Sequence, residues 1–164
     1  GVQTCALPIS EVERAGLDVS AAMIARARQA NPGVPFYEAD FREPRPEFRD
    51  RWDLVSCMWY AYGLTNSIDE IEKVIANLAD WTSPTGRCFL PLADPRLIIG
   101  VDLPYKLEQT PWSGEVLITG ITWCYVEDDG TKVHRHMVAP QVELMVEMFQ
   151  RHFNVVEFID YPPA

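Results

Sequence analysis

Apolar positions along the chain alternate between short continuous runs and longer segments with helical spacing. Residues 12–18 (VERAGLD) form a short run that predicts a strand ending in an acid. Ser20 stands where a helix N-cap belongs, because its hydroxyl can accept from a first-turn N–H. In the segment AAMIARARQA, Met23, Ala27 and Ala30 recur at helical spacing, with Arg26 and Arg28 off that face. Asn31-Pro32-Gly33 ends this helix. Residues 34–39 predict a second short strand, closing at Asp40-Phe41, and a Pro- and charge-rich loop follows.

Residues 52–58 (WDLVSCM) are almost continuously apolar, as a strand buried on both faces of a parallel sheet would be. Residues 67–81 predict a helix whose face carries Ile68, Ile71, Ile75, Leu78 and Ala79. Ser83-Pro84-Thr85-Gly86 predicts a turn and 87–92 the next buried strand. Alternation of this kind implies an α/β fold with a mostly parallel sheet, flanking helices and right-handed crossovers. The pattern then changes. Residues 115–126 and 131–138 flank Glu127-Asp128-Asp129-Gly130, which predicts an antiparallel β-hairpin with Asp-Gly at its turn. Residues 140–152 predict a helix with Val142, Met145, Val146 and Phe149 on one side, and 154–160 a last strand.

The 164 residues suffice for one domain with a real core, and 48% apolar with 23% charged is a globular balance. No apolar run approaches the roughly 20 residues needed to cross a bilayer. The first ten residues lack the basic and apolar parts of a signal peptide, which favours the cytoplasm. The formal charge of −10 opposes binding to phosphate backbones. A small molecule therefore suits the chain better as a partner than nucleic acid or a membrane. Cys5, Cys57, Cys88 and Cys124 form no CxxC or Cys/His cluster, so no metal site is expected, and their apolar neighbours suggest reduced, buried thiols.

Residues 1–9 (GVQTCALPI) resemble a translated sequencing adaptor. The natural sequence then begins near Ser10, and Cys5 drops out of the cysteine argument. The remainder divides into a cofactor-binding part (10–97), an acceptor-side insertion with the hairpin (98–139), and a final helix and strand (140–164).

Ligands of open parallel sheets bind beyond the carboxyl ends of the strands. Asp18 ends the first strand, where a carboxylate can accept both hydroxyls of a ribose. Asp40 and Phe41 end the second, suited to an adenine amino group and its ring. Each acid also fits a plain cap or turn. Residues 57–60 end the third strand and can line an alkyl or thioether group.

The strings GLDVSAAMIARAR (16–28), YEADFRE (37–43), WDLVSCMWYAYGL (52–64) and PTGRCFLPL (84–92) resemble, in order, the second to fifth strand regions of the class I S-adenosylmethionine-dependent methyltransferases. The likeness covers about half of the chain firmly and 98–164 in outline. It implies a Rossmann-like fold, S-adenosylmethionine as cofactor and transfer of a methyl group. It implies a ribose-binding role for Asp18, adenine packing for Val19 and Met23, and an adenine-facing role for Asp40 and Phe41. Cys57, Met58 and Trp59 fall where that family faces the methionine part and the acceptor. One departure matters most: no G-x-G-x-G occurs in the chain. In the family that loop follows the first strand and brings backbone N–H groups to the methionine end. The expectation is thus an incomplete fold with impaired activity.

Methyl transfer depends mostly on alignment of donor and acceptor, so catalytic residues leave weak signals. The segment 94–111 and the hairpin, with Trp112, Trp123, Tyr125, His134 and His136, are expected to cover the acceptor. His134 and His136 are two apart and would share a face of a strand. Either can serve as general base, or both can face solvent. Tyr60 and Tyr62 can touch the acceptor or pack in the core. A nicotinamide-dependent oxidoreductase is the rival. It also uses an acid after its second strand, but no Lys here has a Tyr four residues before it. A non-catalytic fragment is the other alternative.

Overall fold

A computed structural model of the chain describes residues 12–111 and 113–159. The adaptor-like segment, Cys5, Trp112 and Asp160 lie outside the described residues. The chain divides into two compact units, Gly1–Glu43 and Pro44–Ala164.

In the first unit, β1 (Gly16–Asp18), α1 (Ala21–Ala30) and β2 (Phe36–Glu38) form a strand–helix–strand crossover. The strands are parallel, with Gly16 opposite Phe36 and Asp18 opposite Glu38. The Phe36 ring lies over Gly16, where a Cβ would come within 2.5 Å of it, so only glycine fits there. Ser20 caps α1 by accepting from the Met23 N–H at 3.4 Å. Gly33, at φ 84°, turns the chain back to β2. The expected face of Met23, Ala27 and Ala30 is shifted. Ile24 is the buried anchor of α1, Met23 and Ala27 are half-buried, and Ala30 is exposed. The helix packs on β1 and β2, and the branched side chain at 24 fills that contact better than alanine.

In the second unit β3 (Trp52–Ser56) and β4 (Thr82–Phe89) pair in parallel. Their connection is α2 (Ile68–Trp81), which begins at an N-cap formed by Ser67. The Ser67 hydroxyl accepts from the Glu70 N–H, while the Glu70 carboxylate accepts from the Asn66 N–H at 2.8 Å. This reciprocal arrangement satisfies donors that the first turn leaves open. The helix buries Ile71, Val74, Ile75, Leu78 and Trp81. Trp81 continues the core by edge-to-face contact with Phe48, their centroids 5.5 Å apart.

Two expectations for these strands are corrected. Ser83–Gly86 do not separate β4 from α2 as a turn; they swell out inside β4. Trp52 pairs with Thr82 and Leu54 with Arg87, so four residues of β4 bulge against one of β3. Gly86 allows this, because a Cβ there would lie 2.8 Å from the Trp52 carbonyl oxygen. Nor is β3 buried on both faces: Val55 is buried, whereas Leu54 is 67% exposed. Among the described residues the strand has one hydrogen-bonded neighbour, and α2 packs against it.

After β4, Asp94 caps a short helix, α3 (Pro95–Ile99), that periodicity does not reveal. Strands β5 (Lys106–Leu107) and β6 (Val116–Leu117) pair antiparallel. The hairpin is present as β7 (Gly120–Val126) and β8 (Val133–Pro140). Its turn closes through the Gly130 N–H to the Glu127 carbonyl at 2.7 Å, with Gly130 at φ 68°. Gln141, fully buried, joins these pieces: its side-chain amide donates to the Leu103 carbonyl at 2.8 Å and its backbone N–H to that of Thr119. Helix α4 (Val142–Gln150) buries Leu144, Met145 and Met148, so its inner face is centred one residue away from the expected stripe. The expected strand at 154–160 is not formed over 154–159. Val155, Phe158 and Ile159 are exposed there, and a β-run without a hydrogen-bonded neighbour gains nothing from extending.

Because α2 supplies the centre of this unit, truncating it is the sharpest stability test. Ile75→Ala should lower unfolding free energy by about 2–5 kcal/mol in urea titration. An exposed control, Lys73→Ala, should change it by less than about 0.5 kcal/mol. Equal effects at the two positions would contradict the assignment of the core.

Candidate functional site

The parallel pair of the first unit ends with Asp18 opposite Glu38, and Asp40 follows two residues past the end of β2. The Ala39 N–H donates to the Asp18 carbonyl at 3.0 Å, which ties the two strand ends together. One Asp18 carboxylate oxygen accepts from the Ser20 N–H at 2.7 Å, so the acid also shapes the entry to α1. Its other oxygen has no partner among the described residues. Val19 beside it is 71% exposed and Met23 half-buried, which leaves an apolar surface next to an open acceptor. That combination suits the ribose and base of a nucleoside. Asp40 is more committed: it accepts from the Arg42 backbone N–H at 2.9 Å and from its guanidinium at 2.5–3.0 Å. The Arg42 side chain holds the Asp40 carboxyl below the usual carboxylate range, with burial opposing. Phe41 follows, half-buried.

In the second unit, β3 runs into residues of contrasting burial. Cys57 is buried, and its N–H extends the parallel ladder to the Phe89 carbonyl at 3.1 Å. Burial pushes its thiol up to about 11, and that of Cys88 on β4 up to about 12. Both are therefore neutral, unreactive thiols at physiological pH. Cys124 departs from the expected burial and is exposed, on the side of β7 opposite Trp123 and Tyr125. Met58 and Trp59 are exposed, at 45% and 66%. Trp59 and Tyr60 both adopt left-handed backbone, φ 58° and 53°, which costs such side chains free energy and marks a position held by its surroundings. A 3-10 turn, Ala61–Leu64, follows. Of the two candidate tyrosines, Tyr62 is core: it is 1% exposed, its hydroxyl accepts from the Ala93 N–H at 3.0 Å, and burial raises its pKa. Tyr60 packs edge-on against it, centroids 6.5 Å apart.

Trp59 and Leu64 from this turn meet Trp123, Tyr125, His134 and Met137 of the hairpin around a cavity of about 390 Å³. The expected His134/His136 pair does not share its face. Trp123 pairs with Met137 and Tyr125 with His134, so β8 carries one residue more than β7 between these pairs. His136 takes φ 57° in this bulge. The extra residue breaks the period of two, turning His134 and Met137 to the cavity while His136 is exposed. The His134 ring stacks on Tyr125 at 6.1 Å, and its Nε2 lies 4.0 Å from the Glu127 carboxylate. Leu64 and Met137 carried no sequence signal of a site. Only the bulge brings Met137 to this face, and bulges have no reliable residue signature without glycine.

A family model described as a methyltransferase domain matches residues 1–90, just over half of the chain. The chain belongs to that family. By that match and by its α/β, Rossmann-like fold it belongs with the class I S-adenosylmethionine-dependent methyltransferases, a family whose methyl donor is S-adenosylmethionine. Among solved structures it is similar to the glycopeptide N-methyltransferase MtfA, seen with sinefungin and with S-adenosylmethionine. That likeness has 16% identity, a TM-score of 0.58, and covers 85% of this chain and 65% of MtfA. Streptomyces venezuelae DesVI is similar at 17% identity and TM-score 0.52, over 85% of this chain and 64% of its own. At these identities the likeness concerns the fold. The chain spans a little under two thirds of the length of either protein. No curated protein matches it. No helix among the described residues is long and apolar enough to cross a membrane.

The Asp40–Arg42 pair has a defined pH signature. A lowered folded-state pKa adds stability above the ordinary Asp value of 3.8, lost as pH falls through the folded value. Arg42→Gln should therefore lose less than about 1 kcal/mol at pH 7, and the difference from wild type should vanish below the Asp range. Thermal unfolding at stepped pH measures this; a deficit that persists at low pH would refute the electrostatic origin. Separately, a disulfide reagent under native conditions should modify Cys124 rapidly and leave Cys57 and Cys88 unreacted until denaturant is added. Rapid loss of the Cys57 or the half-buried Cys88 thiol would contradict their placement.

Proposed function

We propose that the chain carries out S-adenosylmethionine-dependent methyl transfer to a nitrogen or oxygen of a small-molecule acceptor, in the cytoplasm. The observation that carries the reading is Asp18: an acid at the carboxyl end of a parallel strand, one oxygen open, beside the exposed Val19, in a chain of this family. In this reading Asp18 receives the ribose hydroxyls and Val19 and Met23 pack on the adenine. Asp40 and Phe41 border the base, with Arg42 orienting the Asp40 carboxylate. Cys57, Met58 and Trp59 face the methionine part and the acceptor. The bound cofactor supplies an electrophilic methyl group. His134 is positioned to take the proton that the acceptor atom releases, with the Glu127 carboxylate near its ring to steady the resulting charge. His136, turned away by the bulge, has no such role. The free thiols of Cys57, Cys88 and Cys124 accord with a reducing compartment. The N-methyltransferase activity named for MtfA makes nitrogen a natural acceptor atom to test first.

Without a G-x-G-x-G, the grip on the methionine end is expected to be weak and the activity impaired. Isothermal titration of the chain with S-adenosylmethionine tests this. Binding should be detectable, and Asp18→Ala should weaken it at least about tenfold, the effect of losing hydrogen bonds to a charged group. Absence of binding, or unchanged binding by Asp18→Ala, would overturn the proposal.

A further inference from the structure

We infer that the cavity over the hairpin recognises an alkylammonium group, the protonated form of an amine that the enzyme takes as acceptor. The inference rests on the methyl-transfer reading only for the word acceptor. Three aromatic side chains, Trp59, Trp123 and Tyr125, line the cavity, and they come from two separate elements. Aromatic faces attract an alkylated cation through the ring quadrupole, most strongly for tryptophan. Among the described residues His134 and Tyr125 are the titratable ones that line it, and no lysine or arginine among them stands on the wall to oppose a cation. The Glu127 carboxylate lies 4.0 Å from the His134 Nε2 and is paired with Lys132 at 3.4 Å, so the attraction for a cation rests on the rings. The chain as a whole carries −10.

Two backbone features hold this arrangement, and neither serves simple packing. The left-handed pair Trp59-Tyr60 presents a large indole 66% exposed, which burial alone does not favour. It is fixed by the Ala61 N–H to the Met58 carbonyl at 3.2 Å and the Gly63 N–H to the Tyr60 carbonyl at 2.8 Å. On the other wall, the bulge at His136 sets Met137 and His134 on one face with the two aromatics of β7. An apolar floor with aromatic walls suits a cation with alkyl substituents better than an anion or a sugar hydroxyl.

The test titrates the full chain with choline and with its neutral isostere 3,3-dimethylbutan-1-ol, following the tryptophan indole N–H signals by NMR. Choline should bind at least about fivefold more tightly, within the range of cation–aromatic attraction, and shift the signals of Trp59 and Trp123. Trp59→Leu, at an exposed position, keeps apolar area and removes the ring. It should abolish the preference while the isostere still binds. Equal binding of the two probes by wild type, or an undiminished preference in Trp59→Leu, would overturn the inference. A competition arm separates acceptor from donor. Displacement of choline by S-adenosylmethionine or S-adenosylhomocysteine, where either binds, would give the cavity to the donor and overturn the acceptor assignment. Failure of the cofactor to bind leaves the choline comparison intact, so the two readings fail separately.

Discussion

The second unit depends on the removal of one helical face from water. Ile71, Val74, Ile75, Leu78 and Trp81 of α2 are almost fully buried. Each such side chain contributes roughly 1.5–3 kcal/mol when taken out of water. The helix touches β3, β4, α4 and the 3-10 turn after β3, so this one face sets the position of the turn that carries Leu64, against which β8 of the hairpin packs. The Ser67–Glu70 cap starts the helix at a defined residue and Thr82 begins β4 directly after Trp81. With both ends fixed, the connection between the parallel strands has little freedom.

Against that rigid base, the cavity is shaped by local departures from regular structure. Trp59 and Tyr60 leave β3 in left-handed conformation, and one extra residue in β8 reverses the alternation of the hairpin. Such features weaken the ladder where they occur. They persist when neighbouring packing over-determines them, and they cluster where a side chain must be aimed. Gly63 shows how close that packing is, since a Cβ at this position would lie 3.0 Å from the Val138 carbonyl oxygen. The irregular positions shape the cavity, and the regular ones around them carry the stability.

Most of the element order was legible in the residues. The cap at Ser20, the Asn31-Pro32-Gly33 stop and the Asp-Gly hairpin turn each act through neighbours a few positions away, and each is found in the structure. Strand extents were less legible: residues 12–18 contain only Gly16–Asp18 as strand, because a strand is bounded by where its partner pairs. The same reason explains why 154–159 does not form one. The short β5–β6 pair and α3 have too few residues to show a period. Of the candidate site, Asp18 and Asp40 were legible from their place at strand ends. The engagement of Asp40 by Arg42 was not, since an ion pair two residues apart leaves no pattern distinguishable from an ordinary charged loop.

By itself, then, the sequence determined what rests on local chemistry and periodicity: the succession of strands and helices, the family likeness, and the acids at the strand ends. Tertiary structure alone decided which face each strand presents. Of two histidines two apart, a single bulge keeps His134 at the cavity and exposes His136; of two tyrosines, one is core and the other its rim. The reason is geometric. Side-chain direction in a strand inverts with each residue, so one inserted position reassigns everything beyond it. That position is set by pairing across the sheet, between residues the chain separates.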